Sequence, residues 1–133
     1  MNTSKFPSTP ILVVDDEEQF LYSISITFKA HGITNIQTCS SGDAARKHIM
    51  SKTNSVILLD INLPDCSGLE LLEFVLEKSP DTPVIMITAL NQAHTAVDCI
   101  KKGALDYLVK PLDTERLVAC VKNALAQKDL TCE

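Results

Sequence analysis

At 133 residues the chain fits one domain, and with 45% hydrophobic and 22% charged residues it has material for a core and none of the bias of a disordered segment. A net charge of −5 speaks against a nucleic-acid-binding surface, which needs clustered Lys and Arg, so these residues are expected to bind no nucleic acid. No apolar stretch reaches transmembrane length, the N-terminus lacks the apolar segment of a signal peptide, and the cysteines (Cys39, Cys66, Cys99, Cys120, Cys132) are odd in number without CxxC spacing. A cytoplasmic protein with reduced thiols, no membrane contact and no zinc site is expected.

Residues 1–9 are polar, contain Pro7, and are expected to form a loose tail before a domain spanning 10–128. A first strand, about Pro10 to Val14, runs into Asp15-Asp16. The following helix, about Glu17 to His31, carries Phe20, Leu21, Ile24 and Phe28 at helical spacing and stops at Gly32. Asn35 to Cys39 is a short second strand, and Ser41 opens a small helix carrying Ala44, Ala45, Ile49 and Met50. The third strand, Val56 to Leu59, runs into Asp60; a loop containing Pro64 leads to a helix over Gly68 to Lys78. There Ser67 and Glu70 have capping-box spacing, and Leu69, Leu72, Val75 and Leu76 face the sheet. The fourth strand, Val84 to Ile87, runs into Thr88. Asn91 is placed to cap a helix whose inward residues are Ala93, Ala96, Val97 and Ile100, stopped by Gly103. A last strand, about Ala104 to Val109, runs into Lys110-Pro111, and Asp113 caps a final helix with Leu117, Val121, Ala124 and Leu125 on one face. Residues 129–133 form the end piece, the expected start of a linker to an output domain.

Val- and Ile-rich runs alternating with helical patterns predict an α/β fold with a parallel sheet. In such sheets ligands bind beyond the carboxyl ends of the strands. Three carboxylates, a hydroxyl and an ammonium would then share one rim, a set suited to a divalent cation and a phosphoryl group. Asp15-Asp16-Glu17-Glu18 alone reads as the acidic first turn of a helix. The distant Asp60 changes that, because Mg²⁺ is held by one or two carboxylates and an aspartate can attack phosphorus. Thr88 can donate to a phosphoryl oxygen, and small Ala89 leaves room beside it. Lys110 can pair with Asp60 at rest and with the phosphoryl group afterwards, and a cis bond to Pro111 would fix where it points. His31, His48 and His94 read as surface or boundary residues.

Acid pair, Asp, Thr and Lys-Pro in that order at strand ends resemble the receiver domain of two-component response regulators. The resemblance covers about Ile11 to Leu125 and rests on Val13-Val14-Asp15-Asp16-Glu17, Leu58 to Pro64, Ile87-Thr88-Ala89 and Gly103 to Pro111. It implies a doubly wound (βα)5 fold, flavodoxin-like, with five parallel strands in the order 2-1-3-4-5. It implies that Asp60 accepts a phosphoryl group from a sensor histidine kinase or phosphotransfer protein. Asp15, Asp16, Asp60 and the carbonyl of Asn62 would hold Mg²⁺, and Thr88, Ala89 and Lys110 would bind phosphoryl oxygens. Thr88 and Tyr107 match the family's switch pair, and Asn62 and Leu90 the positions that tune dephosphorylation. Cys66 stands where the family often has Met. The face of the fourth helix, fifth strand and fifth helix would carry the output, including a possible homodimer. The stretch from Thr95 to Asp113 is most similar to receivers fused to transcription factors, ATPase activators of the alternative sigma factor among them. Beyond self-phosphorylation and self-dephosphorylation, no enzyme activity is implied.

Two alternatives stand beside the switch. A Mg²⁺-dependent phosphatase of the haloacid dehalogenase type also uses an Asp nucleophile, a Thr or Ser, a Lys and a cation. Its nucleophile is followed two residues later by a second Asp, where this chain has Asn62. An interaction module that has lost phosphorylation is opposed by the intact residue set.

Overall fold

Short strands of Val, Ile and Leu with helices between them can be covered on both faces, and such strands show no polar alternation. The structure, a computed structural model, describes residues 5–89 and 93–131. Its elements are β1 (Ile11–Val14), α1 (Glu18–Ala30), β2 (Ile36–Cys39), α2 (Gly42–Ser51), β3 (Val56–Asp60), α3 (Gly68–Lys78), β4 (Val84–Thr88), α4 (Ala93–Lys102), β5 (Asp106–Val109) and α5 (Thr114–Thr131). The five strands form one parallel sheet in the order β2-β1-β3-β4-β5. This is the flavodoxin-like (βα)5 arrangement expected from the sequence.

The pleat sends successive side chains to opposite faces, which divides the core in two. Ile11, Val13, Val56, Leu58, Ile85, Ile87 and Leu108 pack against Leu21, Ile24 and Phe28 of α1 and Leu117, Val121, Ala124 and Leu125 of α5. Leu12, Val14, Ile57, Leu59, Val84 and Met86 pack against α2, α3 and α4. β1, β3 and β4 are buried along their whole length, so their carboxyl ends are held in register.

Some sequence expectations shift. α4 buries Ala96 and Cys99, whereas Val97 is 43% and Ile100 37% exposed. Two apolar stripes overlap on this helix, and the one carrying the small Cys99 fits closer to the sheet. Ala93's side chain and the capping role of Asn91 lie outside the described residues. In α3 Leu72 and Val75 are buried as expected, Leu69 and Leu76 only partly, and Leu71 is fully buried. Met50 of α2 points to solvent.

The expected tail is tied down from Phe6 onward. The carbonyl of Phe6 accepts from Thr34 and Asn35, and the Asn35 side chain donates to the carbonyls of Pro7 and Ser8. Cys39, Cys66, Cys99 and Cys120 are free thiols, and Cys132 lies outside the described residues.

Candidate functional site

Parallel strands end at a common edge, and that edge collects the sequence-nominated residues. Asp15 follows β1, Asp60 closes β3, Thr88 closes β4 and Lys110 follows β5. Carboxylate oxygens of Asp15, Asp16 and Asp60 lie within 4.8 Å of one another. Asp15 is fully buried, Asp60 is buried and Asp16 is exposed, so the acid pocket opens to water on one side.

Lys110 supplies the compensating charge. Its Nζ lies 2.8 Å from Asp15 Oδ2, 2.7 Å from Glu17 Oε1 and 3.7 Å from Asp60 Oδ2. The ammonium also sits 4.4 Å above the centre of the Phe20 ring, a favourable cation–π position. Burial opposes the charge on Lys110, but its hydrogen bonds to Asp15 and Glu17 outweigh that, and its pKa stands above the usual lysine value. The same contacts hold Glu17 below the usual carboxylate range. The resting partners of Lys110 are therefore Asp15 and Glu17 first, with Asp60 a looser one. Burial accounts for the Asp15 contact, since a carboxylate that deep needs a paired cation, whereas the exposed Glu17 carboxylate reaches the same ammonium from the solvent side.

The role of Glu17 is hidden in the sequence, because the acid run around it reads as a helix dipole effect. It does occupy the N-cap position of α1, but its side chain makes no capping bond. The backbone N–H of Glu17 donates to Asp15 Oδ1 at 2.9 Å, which folds the run back onto the pocket.

Burial pushes the Asp60 carboxyl up to about 6; Asp15 and Asp16 add to this, while the N–H of Asn62 and the charge of Lys110 oppose it. That N–H donates to Asp60 Oδ1 at 3.1 Å. Thr88 is fully buried and its hydroxyl donates to the carbonyl of Ala89 at 3.0 Å. Tyr107 is half-buried on β5, against the core side that carries α3 and α4. The Lys110–Pro111 bond is cis. Leu90 lies outside the described residues. His31 and His94 are exposed, and His48 bonds Asn54, which precedes β3 at the end opposite to Asp60.

Residues 11–122 match the response regulator receiver domain. The chain belongs to the response regulator receiver domain family. This receiver domain is 36% identical over 124 residues to the response regulator protein PilR of Pseudomonas aeruginosa, covering 92% of the chain and 27% of that protein. It is 34% identical over 116 residues to the transcriptional regulatory protein ZraR of Escherichia coli, covering 87% of the chain and 26% of that protein. It thus spans about a quarter of the length of the curated relatives it matches. It superposes on a response regulator receiver domain protein from Clostridium thermocellum with a TM-score of 0.85 at 29% identity, covering 92% of this chain and 98% of that one. Among the described residues no helix is long and apolar enough to cross a membrane.

Proposed function

We propose that this receiver domain is a phosphorylation switch in which Asp60 accepts a phosphoryl group. The observation that carries the reading is the meeting of Asp15, Asp16 and Asp60 within 4.8 Å, with the Lys110 ammonium 3.7 Å from Asp60. Three hard oxygen donors at this spacing fit Mg²⁺, and the carbonyl of Asn62 would be a further ligand. Mg²⁺ bound there would offset the negative charge shared by the acids and an incoming phosphoryl dianion. An Asp60 oxygen attacks phosphorus; the new P–O bond forms as the bond to the donor's imidazole nitrogen breaks, and the imidazole leaves to take up a proton. Lys110 and the backbone at Ala89 bind phosphoryl oxygens. Thr88 gives up its bond to the Ala89 carbonyl and donates to the phosphoryl group, and Tyr107 packs in behind it. Self-dephosphorylation follows attack by water, with Asn62 and Leu90 as the positions that tune its rate.

The donor is a sensor histidine kinase or a phosphotransfer protein, in the cytoplasm. The output face is α4–β5–α5, through a homodimer or a contact with an output domain. ZraR, a transcriptional regulatory protein, supports transcription as the output. The phosphatase alternative finds no support: the amide of Asn62 cannot act as a general acid.

Intact mass after incubation with Mg²⁺ and a small acyl phosphate tests the reading. One hydroxylamine-labile phosphoryl group is expected on the wild type and none on Asp60→Asn. An unchanged wild-type mass, or equal labelling of Asp60→Asn, removes Asp60 as the acceptor.

A further inference from the structure

The loop between β3 and α3 carries Asn62 past Asp60, and its far end is anchored to another helix. Asp65 Oδ1 accepts from the N–H of Gly42 at 2.8 Å, and Oδ2 from the N–H of Asp43 at 2.9 Å. Ser41 Oγ accepts from Ala44 at 3.1 Å. The first turn of α2 therefore has a local cap from Ser41 and a second, long-range one from Asp65. A carboxylate at a helix N-terminus is favoured by the aligned peptide dipoles, and these bonds hold Asp65 below the usual carboxylate range.

The approach is as close as the residues permit. Gly42 is buried, and a Cβ there would collide with Cys66 Sγ and press on Asp65 Oδ1 at 3.3 Å. The loop is also closed on itself: Asn62 and Ser67 form an antiparallel bridge, and Ser67 Oγ caps α3 by accepting from Glu70 at 3.2 Å. A clamp at Asp65 therefore fixes the whole loop, including the Asn62 N–H that bonds Asp60 Oδ1. A plain helix cap would need no contact with this loop, and Ser41 already provides one.

We propose that Asp65 is a positioning residue of the phosphorylation site, which clamps the β3–α3 loop to the first turn of α2 and so holds Asn62 against Asp60. The inference rests on the reading of Asp60 as phosphoacceptor. It is tested on Asp65→Ala, Asp65→Asn, Gly42→Ala and Ser41→Ala, well below the melting temperature of each. Three quantities are measured: hydrogen exchange of the Asn62 amide, the Mg²⁺ dissociation constant by calorimetry, and the rate of mass gain with an acyl phosphate. Asp65→Ala is expected to speed Asn62 exchange, slow phosphorylation and weaken Mg²⁺ about tenfold, as loss of a ligand-orienting partner does. Gly42→Ala, which wedges the helix from the loop, is expected to do the same and carries the test if Asp65→Ala does not fold. Asp65→Asn keeps one acceptor oxygen but turns an NH2 donor towards the second N–H and loses the charge, so it is expected to fall between Asp65→Ala and wild type. Ser41→Ala lowers the melting temperature and leaves all three quantities near wild type. The proposal is overturned if the clamp variants keep wild-type Asn62 exchange and Mg²⁺ affinity, or if Ser41→Ala shifts them equally. Failure of the wild type to gain a phosphoryl group would instead overturn the reading of Asp60, and Asn62 exchange still decides the role of Asp65.

Discussion

Asp60 gives up its hydration on folding and, among the described residues, receives no cation within hydrogen-bonding distance in return, since Lys110 Nζ stops 3.7 Å away. Its carboxyl is pushed from 3.8 up to about 6. Between those values the folded protein holds a proton that the unfolded chain has released. The stability this contributes is complete below 3.8 and is lost as pH rises through about 6. Metal-free Asp60→Asn should therefore melt higher than the wild type at pH 8, by on the order of 1 kcal/mol once the open side of the pocket is discounted. The gain should shrink as the pH falls from about 6 towards 4. Melting curves in chelator across this range check it, and a gain that grows on acidification contradicts it. Lys110 plays the opposite part, because it neutralises the fully buried Asp15. Lys110→Met strands that charge and should cost about 2–4 kcal/mol without metal, somewhat below the full value for a broken buried pair because Lys110 is partly solvated. Urea denaturation measures this, and Mg²⁺ should restore part of the loss.

At the scale of elements, the legible features were those with a local cause. Runs such as Val56-Ile57-Leu58-Leu59 announce buried strands, and Ser67 with Glu70 announces the start of α3. Because parallel strands end at one edge, the topology alone gathers Asp15, Asp60, Thr88 and Lys110. Contacts that join distant segments were not legible. Nothing in the acid run Asp15 to Glu18 says that Glu17 reaches Lys110, and nothing near Asp65 says that its partners are Gly42 and Asp43. Periodicity also failed to separate the Val97–Ile100 stripe of α4 from Ala96–Cys99, because both are apolar at helical spacing. Gly68 is a further long-range constraint. A Cβ there would strike the Asp60 carbonyl oxygen and the Ile61 Cα, backbone atoms that cannot rotate aside. Gly68→Ala should then push α3 away from the end of β3 and cost about 1–3 kcal/mol, the usual penalty of overpacking. The urea midpoint reads the loss, and an unchanged midpoint would mean that α3 shifts without strain.

Over the whole molecule the net charge is −5, and much of the repulsion is concentrated where Asp15, Asp16, Glu17 and Asp60 share one rim with Lys110. Folding creates that concentration, because β1 and β3 bring together acids that the unfolded chain keeps apart. A cation that needs acids from both strands binds the folded state far better than the unfolded one. At a concentration one hundred times its dissociation constant, Mg²⁺ should therefore stabilise the domain by about 2.7 kcal/mol. For a domain of this size that corresponds to roughly 10 °C in melting temperature. Asp16→Asn separates repulsion from ligation: it removes a like charge and should raise the metal-free melting temperature, yet it also removes a donor and should reduce the Mg²⁺ gain. General screening predicts otherwise, since NaCl relieves repulsion without needing a donor set. Equal melting shifts from Mg²⁺ and from NaCl at matched ionic strength, or a full Mg²⁺ gain in Asp16→Asn, would remove the cation from this rim.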